Sequence, residues 1–122
     1  MPLYMGDKNM RRKKIEMATP LEVRRSELSM EVNGWWHKID RQLDEVLAQY
    51  QMTFLFPSGS PDDLHTKEVL EREQIHLRNM VAEYDLARLN LHNFAKEYGI
   101  NCAEFEDSHT AIRTMLRWKN KK

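Results

Sequence analysis

The sequence has 122 residues, enough for one domain at most or for a helical hairpin with tails. Hydrophobic residues make up 41% and charged residues 31%, which is too apolar for a disordered chain and too charged for a membrane protein. No stretch approaches the roughly 18 apolar residues of a membrane-spanning helix. The N-terminus is polar and basic, and the only cysteine is Cys102, so we expect a cytoplasmic protein in a reducing compartment.

The charges are unevenly distributed, although the net charge is zero. Residues 1–25 carry a net charge of +4 and residues 108–122 carry +5, whereas residues 26–107 carry −9. Basic ends favour binding to DNA or RNA phosphates, or folding back onto the acidic body of the same chain. The candidate nucleic-acid-binding residues are Arg11, Arg12, Lys13, Lys14, Arg113, Arg117, Lys119, Lys121 and Lys122.

The first predicted helix spans about residues 20–54 and follows a basic N-terminal arm, residues 1–18, without clear periodicity. Thr19-Pro20-Leu21-Glu22 is a capping box with proline at the first helical position. Apolar residues recur every three or four positions from Leu28 to Tyr50, as on one face of a helix. Asn33-Gly34 interrupts this segment and predicts a kink, with a break as the alternative.

The second predicted helix spans residues 61–98, which is unusually long for a globular protein. Ser60 is its expected N-cap, and Gly99 followed by Ile100 predicts a Schellman ending. Leucine, methionine, alanine and aromatic residues recur at steps of three and four from Leu77 to Tyr98, which is a heptad pattern. Because the intervening turn is short, the two helices should pack antiparallel.

A third, shorter helix is predicted over residues 102–118, with Asn101 as its cap. The predicted fold class is therefore all-α: a long, antiparallel, coiled-coil-like helical hairpin with a short third helix and a basic N-terminal arm. Residues 19–122 should form a single helical domain.

The segment 94–118 resembles a helix-turn-helix. The resemblance covers Phe94, Ala95, Gly99, Ile100 and Phe105, which match its apolar and turn positions. It implies a DNA-reading second helix, but the start of that helix carries Glu104, Glu106 and Asp107, which would meet phosphates of like charge.

Metal chemistry and catalysis have weak support in the sequence. Glu73-x-x-His76 is half of the motif found in di-iron helical bundles, which need two such pairs and further carboxylates. The alternative is a hydrogen-bonded structural pair. Cys102 at a helix N-terminus has a physical reason for a lowered pKa, but a small apolar filler is the commoner role. We therefore expect no enzyme activity, cofactor, metal or small-molecule substrate.

The function that we predict from the sequence is a non-catalytic interaction or assembly subunit. Apolar residues beside the heptad positions widen both hairpin faces and need a third helix or a second chain to cover them: Trp36, Leu47, Leu86 and Leu89. The partner is another protein or a second copy, so a homo-oligomer or a complex is expected. A small DNA-binding accessory protein is the alternative, and a metal-binding helical bundle is the third possibility.

Overall fold

The computed structural model describes residues 19–121 as three α-helices connected by short segments. Helix α1 spans Pro20–Met52, α2 spans Pro61–Tyr98 and α3 spans Ser108–Asn120. No strand is present within residues 19–121. The predicted all-helical fold with two long helices is therefore confirmed, while the basic N-terminal arm lies outside the described residues.

Local signals define the long helices as predicted. The Thr19 hydroxyl accepts a hydrogen bond from the Glu22 amide at 3.1 Å, and the Ser60 hydroxyl accepts one from Asp63 at 3.2 Å. Gly99 ends α2 in the left-handed conformation with φ 64°, which glycine adopts without steric cost. Helix α1 ends at Met52, slightly before the expected residue 54, and is continuous through Asn33-Gly34, which excludes the alternative of a break.

Contacts between α1 and α2 establish that the two helices are antiparallel. The Gln49 side chain donates a hydrogen bond to the carbonyl of Thr66, and the Gln42 side chain donates one to the carbonyl of Glu73. Farther along α1 in the N-terminal direction, Trp36 packs against Tyr84. The residue numbers of the contacting positions thus increase in α2 as they decrease in α1, as antiparallel packing requires.

The predicted start of the third helix is wrong: α3 begins at Ser108, with Asp107 as its N-cap. The carbonyls of residues 101, 105 and 106 instead accept hydrogen bonds from distant side chains: Arg25 at 3.1 Å, Arg88 at 3.0 Å and Tyr84 at 2.6 Å. These tertiary bonds hold residues 100–107 in a non-helical strap, so the Asn101 cap is not used. Since a helix-turn-helix joins its helices by three or four residues, the nine residues between α2 and α3 do not fit the resemblance at 94–118.

The core lies where all three helices meet. It comprises nine buried residues from α1, α2 and α3: Leu28, Val32, Ile39, Leu43, Tyr84, Ala87, Leu91, Ala111 and Met115. We call residues 19–43 and 74–121 the base, and residues 44–73 the distal hairpin. Every residue of the distal hairpin is described, and none of its apolar side chains is buried.

Candidate interaction surface

Helix α2 carries exposed apolar side chains on the face opposite the core. Leu64, Ile75 and Leu86 are 11 residues apart, which is close to three helical turns, and Leu89 lies one turn beyond Leu86. Their exposures are 55%, 45%, 51% and 53%, respectively. We call these four residues the outer stripe. It extends about 38 Å along α2 at 1.5 Å per residue.

The two halves of the outer stripe differ in charge. Glu68 and Glu71 lie between Leu64 and Ile75 on the same face of α2, and both are exposed. Asn79 and Ala82 occupy the corresponding positions between Ile75 and Leu86. Along the stripe itself, the distal half is therefore acidic and the half in the base is neutral, while Lys67 and Arg72 border the two glutamates.

The four predicted interface residues do not form one surface. Leu86 and Leu89 lie together on the outer stripe. Trp36 is half-buried, with its ring centroid 6.3 Å from that of Tyr84, and packs against the core of its own chain. Leu47 is half-buried on α1, on the same helical face as Asp40 and Asp44.

The turn of the hairpin exposes a second group of apolar side chains. Phe54 and Leu55 are each 70% exposed, and Tyr50 stacks edge-to-face on Phe54 with a centroid distance of 5.0 Å. Leu64 begins the outer stripe close to this turn.

The outer face of α3 is basic. Arg113, Arg117 and Lys121 follow one another at intervals of four residues and are exposed. The core residues Ala111 and Met115 lie on the opposite face of this helix. Helix α3 contains no acidic residue, and Trp118 beside Arg117 is 60% exposed.

Lys119 is oriented differently from the other C-terminal cations. Its ammonium group contacts Asp40 at 2.7 Å and Asp44 at 2.8 Å, and only 16% of its side chain is exposed. Burial by itself lowers the pKa of Lys119, but the two carboxylates outweigh this effect and raise it. At this position, a C-terminal cation folds back onto the acidic body. Arg11, Arg12, Lys13, Lys14 and Lys122 lie outside the described residues.

Glu73 and His76 do not form a common site. Glu73 is half-buried and accepts a hydrogen bond at 2.7 Å from the Gln42 side chain, whereas His76 is exposed. Within residues 19–121, no group of three or more His, Cys, Asp or Glu side chains is placed to hold a metal ion. Glu73 is thus hydrogen-bonded, as in the structural alternative, but its partner is Gln42 and not His76.

Cys102 lies in the strap instead of at a helix N-terminus. It is half-buried in a small pocket lined by Arg88, Leu91, His92 and Phe105, among others, and packs against the core. The helix that was expected to begin near Cys102 has Asp107 as its N-cap. The Asp107 carboxylate accepts a hydrogen bond from the Thr110 amide at 2.8 Å. That bond, together with a second from the Thr110 hydroxyl, lowers the pKa of Asp107.

The sequence reasoning missed half of the outer stripe, because Leu64 and Ile75 precede Leu77, where the predicted heptad pattern begins. Their 11-residue spacing with Leu86 is the signal that identifies them. None of the helices within residues 19–121 combines the length and apolar character needed to cross a membrane. Comparison with known protein families, curated proteins and solved structures finds no match to this chain.

Proposed function

We propose that this protein is a non-catalytic helical assembly subunit that binds a helix of another protein chain through the outer stripe of α2. The observation that carries the proposal is that α2 has two apolar faces in opposite directions. One face packs against α1 and α3, while the outer stripe has no covering element within residues 19–121. A surface helix of a monomeric protein normally needs only one apolar face.

The size of the outer stripe suits a partner helix. Fully burying one leucine or isoleucine side chain contributes roughly 1.5–3 kcal/mol, so covering four half-exposed side chains contributes several kcal/mol in total. A stripe of about 38 Å accommodates a partner helix of about seven turns. Binding through anchors on successive turns is the usual mode of helix recognition.

The test is the mass of the assembly formed by the full chain. A tagged chain recovered from its native cells should give a light-scattering mass above the 14.6 kDa of one chain. Leu86→Asp combined with Leu89→Asp should lower the mass by that of the partner bound at these two residues, because two carboxylates would be buried without partners. Circular dichroism should show unchanged helicity, since both side chains are already half-exposed.

Met30→Asp is the matched control, because Met30 is exposed on α1, away from the outer stripe. It should leave the assembly intact. A wild-type chain recovered only as a single chain would contradict the proposal, as would an unchanged assembly in the Leu86/Leu89 variant.

A nucleic-acid-binding accessory role is the second candidate, favoured by the exposed row of Arg113, Arg117 and Lys121. These residues would contact phosphates without reading base sequence. Arg113→Ala with Arg117→Ala should lower affinity for duplex DNA and reduce the slope of log affinity against log salt concentration by about two. Lys119→Ala should have a smaller effect, because Lys119 is engaged with Asp40 and Asp44. Absence of binding at about 50 mM salt, where phosphate contacts are strong, would exclude this role.

A further inference from the structure

We propose that the distal half of the outer stripe is covered by α3 of a second copy of this chain. The proposal rests on the assembly role proposed above and names the partner for that part of the surface. In the resulting contact, Arg113 and Arg117 of one copy face Glu68 and Glu71 of the other.

Charge complementarity is the first argument for a second copy. The distal hairpin has seven acidic and two basic residues, giving a net charge of −5, whereas α3 has no acidic residue and an exposed basic face. The whole chain is neutral. A neutral chain with segregated charges can pair with itself without accumulating net charge, and opposite potentials fix the register of such a contact.

The dimensions of the two surfaces also agree. Helix α3 has 13 residues, and the proposed contact segment of α2, from Leu64 to Ile75, has 12. Glu68 and Glu71 are one turn apart on α2, as are Arg113 and Arg117 on α3. Two ion pairs can therefore form side by side when the helices pack along each other.

Apolar contacts are available beside these ion pairs. Leu64 and Ile75 flank the two glutamates on α2, and the exposed Trp118 lies at the edge of the basic face of α3, about 100° around the helix from Arg117. Tryptophan and arginine are the residue types most enriched among energetically dominant interface positions. Burial of Trp118 against leucine or isoleucine would exclude water from the neighbouring ion pairs and strengthen them.

The same contact is not made within one chain in the observed fold. Helix α3 packs against the core side of the hairpin, where Ser108 bonds to Asp85 at 3.0 Å and Lys119 contacts Asp40. The outer stripe lies on the opposite face of α2. Within residues 19–121, no ion pair joins Arg113 or Arg117 to Glu68 or Glu71, and all four side chains are exposed and accessible to another copy.

The experiment exchanges the charges between two full-length variants. One variant carries Glu68→Lys and Glu71→Lys, and the other carries Arg113→Glu and Arg117→Glu. Each variant alone places like charges in the contact, so its self-association should weaken by about tenfold or more relative to wild type. When the two variants are mixed, every contact between unlike copies again joins opposite charges, and association should recover.

Sedimentation at increasing concentration measures these associations. The wild-type chain should reach a mass of two or more chains by about 100 µM, where a complex of micromolar affinity is saturated. Arg41→Glu with Lys96→Glu is a control with the same charge change at exposed positions elsewhere; it should associate like wild type. Circular dichroism checks that all variants remain helical.

A wild-type chain that stays monomeric, or one that associates only when DNA is added, would overturn the self-association. So would two charge variants that fail to recover association when mixed. If Leu86→Asp with Leu89→Asp still dissociates the assembly from native cells in that case, the proposed assembly role holds and only the identity of the partner is wrong.

Discussion

The base and the distal hairpin are built from the same two helices but are held together differently. In the base, nine buried residues from three helices form a core, and three side-chain bonds fasten the strap of residues 100–107. In the distal hairpin, the only buried side chains are the polar Asp63 and Thr66. Two helices in contact bury only one narrow face each, and in the base the third helix encloses this face further.

Polar contacts replace apolar burial in the distal hairpin. Asp63 accepts a hydrogen bond from the Gly59 amide at 2.9 Å and contacts Lys67 at 3.0 Å; both interactions lower the pKa of Asp63. Gln49 connects the two helices through the carbonyl of Thr66. Such bonds fix the geometry of the turn, but each contributes little net stability. We therefore expect the distal hairpin to open locally more often than the base.

The largest expected effect comes from a cavity in the base. Ile39→Ala should lower the free energy of unfolding by about 2–5 kcal/mol, because Ile39 is fully buried in the core. Leu70→Ala is the matched change in the distal hairpin, where the leucine is only partly buried; its effect should be smaller, about 1–2 kcal/mol. Urea unfolding followed by circular dichroism measures both. Equal effects would mean that the two regions are equally well packed.

The border between the two regions provides the second prediction. Gln42 donates hydrogen bonds to the carboxylate of Glu73 at 2.7 Å and to its carbonyl at 2.9 Å. Gln42→Ala should cost about 1–3 kcal/mol, since a half-buried carboxylate loses its protein partner. Hydrogen exchange should accelerate mainly in the distal hairpin, which this bond joins to the base. Gln51→Ala, at an exposed position of α1, is the control and should leave both stability and exchange unchanged.

The sequence predicted local features well and long-range ones poorly. The caps at Thr19 and Ser60 and the ending at Gly99 depend on neighbouring residues, so they could be read directly. The start of α3 could not be predicted in this way. Hydrogen bonds to the carbonyls of the strap come from residues that are distant in the sequence, namely Arg25, Tyr84 and Arg88. The contacts of Lys119 with Asp40 and Asp44 likewise depend on how the helices pack. Predictions for the N-terminal arm fall outside the described residues.

The strap itself provides the third prediction. Burial is the main factor that raises the pKa of Tyr84 to about 12, and its hydroxyl donates to the Glu106 carbonyl at 2.6 Å. Tyr84→Phe should therefore cost about 1 kcal/mol at neutral pH. A tyrosine in the unfolded chain ionises near pH 10. The stability that Tyr84 contributes is therefore fully present below about pH 10, and it is lost as the pH rises towards the pKa of the folded residue, about 12. Urea unfolding at pH 8 and at pH 11 measures the difference between wild type and variant. A difference that is unchanged at pH 11 would contradict the assignment.

The smallest expected effect has the opposite sign. Gly34 lies inside α1 in the base, and a methyl group added there would meet no atom within 4 Å outside the neighbouring residues and the local helix backbone. Gly34→Ala should therefore stabilise the protein by about 0.5–1 kcal/mol, because alanine loses less backbone entropy than glycine in a helix. Ala48→Gly makes the reverse change at an exposed position in the distal hairpin.

These two variants separate cooperative unfolding from local opening. If the base and the distal hairpin unfold as one unit, Ala48→Gly should lower the free energy of unfolding by about the amount that Gly34→Ala raises it. If the distal hairpin opens first, Ala48→Gly should accelerate hydrogen exchange at residues 44–73 with little change in the main unfolding transition. We expect the second outcome, because the distal hairpin lacks buried apolar side chains of its own. At high protein concentration, self-association through Glu68 and Glu71 would reverse this expectation and give the first outcome, because binding of α3 from another copy stabilises the closed hairpin.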